Sequence, residues 1–208
     1  MNPPAITKDR LLAAAGVVFA EKGFRDATVA EICEAAEANI AAVNYHFGNK
    51  EALYDAVWHD AFRLAADAFP IDAQLPAEPA LTDYLYSFAY ALLHRMFSET
   101  ETGLFAKLLY REMATPTLAL ERIAEEVLKP QIEFLGRALR TALGNVMDDE
   151  QLQLCMHSII GQCVFYNFSR PLRERVLGCS TMSREEVDRT ARHIAAFSFG
   201  GLRELQKG

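Results

Sequence analysis

The stretch TVAEICEAAEANIAAVNYHFGNK, Thr28 to Lys50, holds two short helical patterns separated by a three-residue break. Thr28 and Glu31 have the spacing of a capping box, in which the hydroxyl takes an amide hydrogen of the first turn and the carboxylate returns to the amide of the cap. Behind this cap Val29, Ile32, Cys33 and Ala36 recur at helical intervals, which predicts a helix ending near Ala36. Asn39 supplies a second cap, Val43 and Phe47 lie one turn apart on the inner side, and Gly48 ends the run. The outer side of this second helix is left with Ile40, Ala41, Ala42, Asn44, Tyr45 and His46, a small, polar and aromatic face.

Working outward, Thr7 caps a helix from about Lys8 to Lys22, with Leu11, Ala15, Val18 and Phe19 along one face and Gly23 as its stop. On the other side Asn49 caps a helix from Lys50 to about Phe69, whose stripe of Leu53, Val57, Ala61 and Leu64 is closed by Pro70. A linker rich in proline and alanine runs from Pro70 to Pro79. Helical patterns then fill roughly 81–97, 103–113, 117–143, 149–170 and 183–205, and no stretch alternates as a strand does. Pro130 lies inside the third of these and is expected to kink or split it, because it lacks an amide hydrogen and crowds the preceding turn. The fold class is therefore all-α: an N-terminal three-helix domain, residues 1–50, followed by a larger helical bundle, residues 51–208.

Two short helices joined by a three-residue turn and backed by a longer one have the geometry of a helix-turn-helix, whose second member lies in the major groove. The outward residues suit that role. Small side chains such as Ala41 let the backbone approach base edges, Ile40 and Ala42 match thymine methyls, and Asn44 offers a donor and an acceptor to a base. Tyr45, His46 and Lys50 suit phosphates, and Lys50 also opens a helix whose free amides attract an anion. Thr28, Ala30 and Asn39, at the starts of the two short helices, complete the candidate DNA-contact set.

Charge opposes this reading in bulk and leaves it to placement. The chain carries a net charge of −7, and residues 1–50 hold one more acidic than basic side chain. Nonspecific affinity for nucleic acid comes from lysine and arginine neutralising phosphates, so a general polyanion binder is excluded. Specific binding is still expected to weaken steeply with salt. The 24% of charged residues and 51% of hydrophobic ones describe a chain able to bury a core. Its longest apolar run, Leu11 to Ala20, is too short to span a bilayer, and no targeting segment is evident. Cysteines at 33, 155, 163 and 179 form no Cys-x-x-Cys pair, so neither a disulfide framework nor a metal site is expected, and the cytoplasm is the expected compartment.

The segment from Leu11 to Phe24 followed by Thr28 to Leu53 resembles the N-terminal domain of the TetR family of repressors. The residues that carry the likeness are Phe19, Gly23, Thr28, Ile32, Ala36, Val43, Phe47, Lys50, Glu51 and Leu53, in order and without a gap. The run from Asn39 to Gly48, together with Gly161 to Pro171, is similar to the CecR-like branch of that family. One departure is Glu37, which stands where the family usually has a turn glycine and is expected to take a positive φ at modest strain.

The resemblance implies a homodimer in which the last two long helices of each subunit pair, placing two recognition helices about one DNA turn apart on a palindromic operator. Apolar stripes agree with it: Leu152, Met156, Ile159, Cys163 and Tyr166 on one helix, with Ala191, Ile194 and Phe199 on the last, beside Val187 and Ala195. These stripes are equally readable as burying within one chain. The resemblance also implies a largely apolar small-molecule effector in the larger domain. Candidates for its walls are Phe62, Tyr84, Phe88, Phe105, Leu109, Met113 and Phe165, with His157 and Gln162 as orienting groups, and His94 another buried polar candidate. Effector binding then shifts the dimer away from the DNA-competent shape, with the helix from Lys50 as the lever.

Two rivals are weighed on the same residues. A carboxylate-bridged dimetal enzyme needs Glu-x-x-His pairs on two helices, and none occurs. No nucleophile elbow, phosphate-binding loop or dinucleotide fingerprint occurs either, so no enzyme activity and no cofactor are expected. A helical adaptor or small-molecule-binding protein without DNA affinity suits the acidic balance, and Asn44, Tyr45 and Lys50 are the residues that separate it from a regulator.

Overall fold

The computed structural model describes residues 4–98, 103–144, 147–178 and 181–206, and of residues 4–6 the backbone alone. Helices are α1 (Pro4–Asp26), α2 (Val29–Ala35), α3 (Ile40–His46), α4 (Lys50–Ala68), α5 (Leu81–Phe97), α6 (Leu104–Ala114), α7 (Leu120–Ile123), α8 (Lys129–Leu143), α9 (Asp149–Phe168), α10 (Arg170–Leu177) and α11 (Arg184–Leu205). No strand occurs among the described residues, and no helix there is long and apolar enough to cross a membrane.

The chain forms two compact units. Met1–Ala65 joins Glu99–Val127 in the first, and Ala66–Ser98 joins Leu128–Gly208 in the second. The first unit thus takes in more than residues 1–50: most of α4, all of α6 and α7 belong to it. Its core is where the sequence stripes point, with Leu11, Ala15, Phe19, Ile32, Val43, Leu53, Val57 and Ala61 all buried. An aromatic chain ties α1 to α4, Phe19 meeting the Tyr54 ring edge-on at 4.9 Å and Phe24 lying 5.0 Å from it. Gly16 lets α6 approach α1 closely, since a Cβ there would stand 2.6 Å from a Leu104 methyl.

The second unit is built on α5, α8, α9 and α11 around Leu85, Phe88, Leu135, Leu139, Ile159, Ala195 and Leu202. Buried Arg95 donates twice to the Phe69 carbonyl, from Nε at 3.0 Å and Nη2 at 2.7 Å, which fixes the entry of the 70–79 linker. Burial lowers its pKa to about 10, still far above neutrality.

Two expected helices are divided. The 117–143 pattern becomes α7, a π-helical turn over Ala124–Leu128, and α8 with Pro130 in its first turn. A π turn admits an extra residue ahead of a proline that has no amide to give the preceding turn. The 149–170 pattern ends at Phe168, where the Ser169 hydroxyl returns to the Phe165 carbonyl at 2.7 Å and α10 starts, with Pro171 in its first turn.

Candidate nucleic-acid interface

Both short helices are fixed at their starts by the side chains the sequence assigns. The Thr28 hydroxyl accepts the Glu31 amide at 3.2 Å, and the Glu31 carboxylate accepts the Thr28 amide at 3.0 Å. Lys22 closes on the same carboxylate at 2.7 Å. That bond, with the Thr28 amide and hydroxyl behind it, draws the Glu31 pKa down to about 2. Asn39 accepts the Ala42 amide at 2.9 Å to start α3, and Asn49 accepts the Ala52 amide at 2.7 Å to start α4. Each cap satisfies an amide that a helix start leaves unbonded.

The turn between α2 and α3 contains Glu37 at φ 47°, the left-handed conformation anticipated for a residue in a glycine's place. Its carboxylate meets Arg10 of α1 at 2.9 Å. The strained residue is thereby anchored to the helix behind it.

Within α3, Val43 is buried and Phe47 half-buried, while Asn39, Ile40, Ala41, Asn44 and Tyr45 are exposed and Ala42 and His46 intermediate. Tyr45 retains 80% of its surface, the greatest exposure of any aromatic side chain described. Its ring meets His46 edge-on at 4.9 Å. Thr28 and Ala30 are exposed at the start of α2. These residues therefore form one solvated surface presented by two capped helices.

Lys50 is placed differently from the sequence expectation of an outward phosphate ligand. It is half-buried, its ammonium lies 4.7 Å from the Phe24 ring centre, and it donates to the Arg25 carbonyl at 3.5 Å. Two cations not singled out by motif stand nearer solvent: exposed Arg25, and exposed Lys8, whose ammonium lies 5.9 Å from the Phe47 ring at the end of α3. Isolated basic residues on helix one carry no spacing signal, so only the fold reveals their position.

The effector candidates fall into separate groups. Phe62 and Phe105 pack in the first unit with ring centres 5.3 Å apart, Leu109 is half-buried there, and Met113 is exposed. In the second unit Phe88 belongs to the core and Tyr84 packs 6.0 Å from Phe134. His157 and Phe165 are exposed on α9, with Gln162 half-buried beside them. His94 is buried, stacked on Phe69 at 4.9 Å, and its Nε2 has no hydrogen-bond partner among the described residues.

The stripe expected at a subunit contact is used inside the chain. Leu152, Ile159, Cys163, Ala191 and Ile194 are buried in the single subunit, and Met156, Tyr166 and Phe199 are half-buried. Leu152, Ile159, Cys163, Ala191 and Ile194 have almost no accessible surface to give a partner and are reassigned to the core, while Met156, Tyr166 and Phe199 keep part of theirs. The opposite sides of α9 and α11 carry the exposed apolar residues instead: Leu154, Phe165 and Phe168 on one, Phe197 and Leu205 on the other. Gly161, Gly200 and Gly201 lie among them with open space where a Cβ would be. The hydrophobic pattern alone could not separate these faces, because both sides of α9 are apolar. Cys33, Cys155 and Cys163 are free thiols, and Cys179 lies outside the described residues.

Comparison with known proteins matches both parts of the chain. Residues 11–57 fit the family described as bacterial regulatory proteins, tetR family. Residues 81–202 fit the C-terminal domain of the HTH-type transcriptional dual regulator CecR. Among curated proteins, the dual regulator CecR of Shigella flexneri is 32% identical over 184 residues, covering 82% of each chain. The repressor NicS of Pseudomonas putida is 26% identical over 201 residues, covering 95% of this chain and 92% of its own. Among solved structures, FadR of Bacillus subtilis in complex with stearoyl-CoA superposes with a TM-score of 0.70 at 14% identity, covering 93% of this chain and 98% of its own. A TetR-like regulator from Rhodococcus sp. RHA1 gives 0.66 at 16% identity over 97% and 100%.

Proposed function

The chain belongs to the TetR family of transcriptional regulators, with a C-terminal domain of the CecR type, and on that premise we propose that it is a homodimeric, cytoplasmic repressor released from its operator by a small, largely apolar effector. Residues 1–50 are the part that meets DNA. The observation that carries this reading is the outer face of α3, where Ile40, Ala41, Asn44 and Tyr45 stand in solvent on a helix capped by Asn39 and anchored by Val43. Asn44 reads a base edge, Ile40 and Ala41 take the apolar contacts, and Tyr45 reaches the phosphate backbone.

Dimerisation uses the exposed sides of α9 and α11. Two copies joined there bury Leu154, Phe165, Phe197 and Leu205, and the glycines let backbones come close. A two-fold contact of this kind sets the recognition helices one DNA turn apart and requires a palindromic operator. For the effector, support comes from the aromatic content of the chain beyond residue 51 and from buried His94 with its open nitrogen. The experiment is a gel shift on duplexes selected from a random pool by the full-length protein. Tyr45→Ala and Asn44→Ala are expected to weaken the shifted complex with unchanged circular dichroism. Wild-type affinity in both variants refutes the reading.

A further inference from the structure

The end of α6 makes polar contacts to α1 and α4 within the first unit. Arg111 reaches back to the C-terminal end of α1, its Nε donating to the Ala20 carbonyl at 3.2 Å and its Nη2 to the Glu21 carbonyl. These carbonyls lie just before the break at Gly23, where φ is 78° and the regular helix ends. A helix terminus leaves carbonyls unpaired and carries a partial negative charge, so a guanidinium is well matched to it. The next residue, Glu112, is only 1% exposed. Its carboxylate accepts the Tyr54 hydroxyl of α4 at 2.7 Å, and the amide and hydroxyl of Thr117 at 2.7 and 2.8 Å.

These bonds surround a polar cavity of about 300 Å³ walled by Phe24, Arg25, Tyr54 and the two α6 residues. The Phe24 and Tyr54 rings pack 5.0 Å apart at one wall, and where the cavity leaves α6 without such packing the hydrogen bonds hold it to α1 and α4. At the other end of α6 the attachment is apolar, Leu104 against Gly16 of α1. Two attachment points, one packed and one hydrogen-bonded, define the angle between α6 and α1. Tyr54 lies one turn beyond the α4 start at Lys50, whose ammonium donates to the Arg25 carbonyl at 3.5 Å.

We propose that Arg111 and Glu112 are positioning residues for operator recognition: touching no DNA themselves, they hold α1 and α4 so that α3 and its flanking cations meet the duplex together. The proposal rests on the DNA-binding reading above and deepens it. Its consequence is selective. Loss of the node blurs the alignment that base readout needs, while the cations and phenol that meet phosphates anywhere on a duplex are unchanged.

The test compares full-length wild type with Arg111→Ala, Arg111→Lys and Glu112→Gln, on a selected operator and on a scrambled duplex of equal length, by fluorescence anisotropy over a range of salt. Arg111→Ala and Glu112→Gln are expected to weaken operator binding by about tenfold, the change expected from losing a coupling of ordinary size. Affinity for the scrambled duplex and the dependence of log K on log salt stay as in wild type. Arg111→Lys, which keeps the charge and one donor, recovers part of the loss. Operator affinity within twofold of wild type in both variants overturns the proposal. Equal losses on both duplexes, or a collapsed circular dichroism spectrum even in Arg111→Lys, overturn it in favour of a purely structural role. A wild-type protein that selects no duplex refutes the DNA-binding reading, and this inference with it.

Discussion

Phe197 gives the sharpest test of the proposed subunit contact. It is 67% exposed on the outer side of α11 and stacks on His193 of the same helix, so its removal takes little from the core of the single chain. A phenylalanine buries roughly 200 Å² when fully covered. About 130 Å² is therefore available to a partner, and covering two-thirds of that at ~25 cal/mol per Å² gives about 2 kcal/mol. The contact is two-fold, so one substitution acts twice and Phe197→Ala costs the dimer about 4 kcal/mol, or roughly a thousandfold in Kd. Sedimentation equilibrium over a concentration series measures this directly, with thermal melting of a dilute sample to show that the subunit still folds. Ile194→Ala is the contrast: Ile194 is 1% exposed, so that change is expected to lower folding stability by about 2–5 kcal/mol through a cavity. A Phe197→Ala dimer constant within threefold of wild type refutes the assignment of this face.

Other expectations concern caps, protons and salt. Thr28→Ala removes the hydroxyl that accepts the Glu31 amide, and is expected to cost about 1 kcal/mol, read as a fall in denaturation midpoint with unchanged slope. The His94 pKa is lowered, first by burial and then by Arg184, against an opposing pull from Asp188. A histidine whose folded pKa is depressed contributes stability above its unfolded value, near pH 6.5, and that contribution fades as pH falls toward the folded value. Urea denaturation from pH 7.5 to 5 is expected to show this loss in wild type and a flatter profile in His94→Phe; equal profiles exclude His94 as its source. Operator affinity falls with salt less steeply than for a basic-armed binder, with a slope of about −4 if two cations per subunit meet phosphate. A slope of about −7 would mean that Arg10 and Lys22 leave their carboxylate partners on DNA.

What the sequence could reveal follows from how local each signal is. The capping box at Thr28 and the caps at Asn39 and Asn49 are read within four residues, and each forms the bond its chemistry requires. Glu37 at positive φ is legible only through the family resemblance, which places a turn glycine at that position. Signals that depend on which face meets what are lost. On α9 the apolar residues run around the helix, so Leu152 and Ile159 on the inside and Leu154 and Phe165 on the outside look alike until packing assigns them. Lys50 reads as an anion ligand from its place at a helix start, yet the Phe24 ring it lies against comes from another helix. Arg111 and Glu112 carry no motif at all, since their partners lie about 90 and 58 residues away.

The acidic balance of the chain and its contact with a polyanion are reconciled by pairing. Glu31 is closed by Lys22 and by its own cap, and Glu37 by Arg10. These pairs are exposed and add little to stability, which is the usual value of surface ion pairs. Their effect is on the field: two carboxylates next to the recognition helix are each matched by a cation within 3 Å, so the surface of α3 presents dipoles and aromatic rings rather than net negative charge. The same pairing withdraws Arg10 and Lys22 from phosphate contact and, with Lys50 held against Phe24, leaves Lys8 and Arg25 as the exposed cations. A protein with so few cations at its interface draws a small share of its affinity from the backbone of any duplex. On the proposed reading, discrimination depends on the fit of Asn44, Ile40 and Ala41 to base edges, and that fit on how firmly the end of α6 holds α1 and α4 in place.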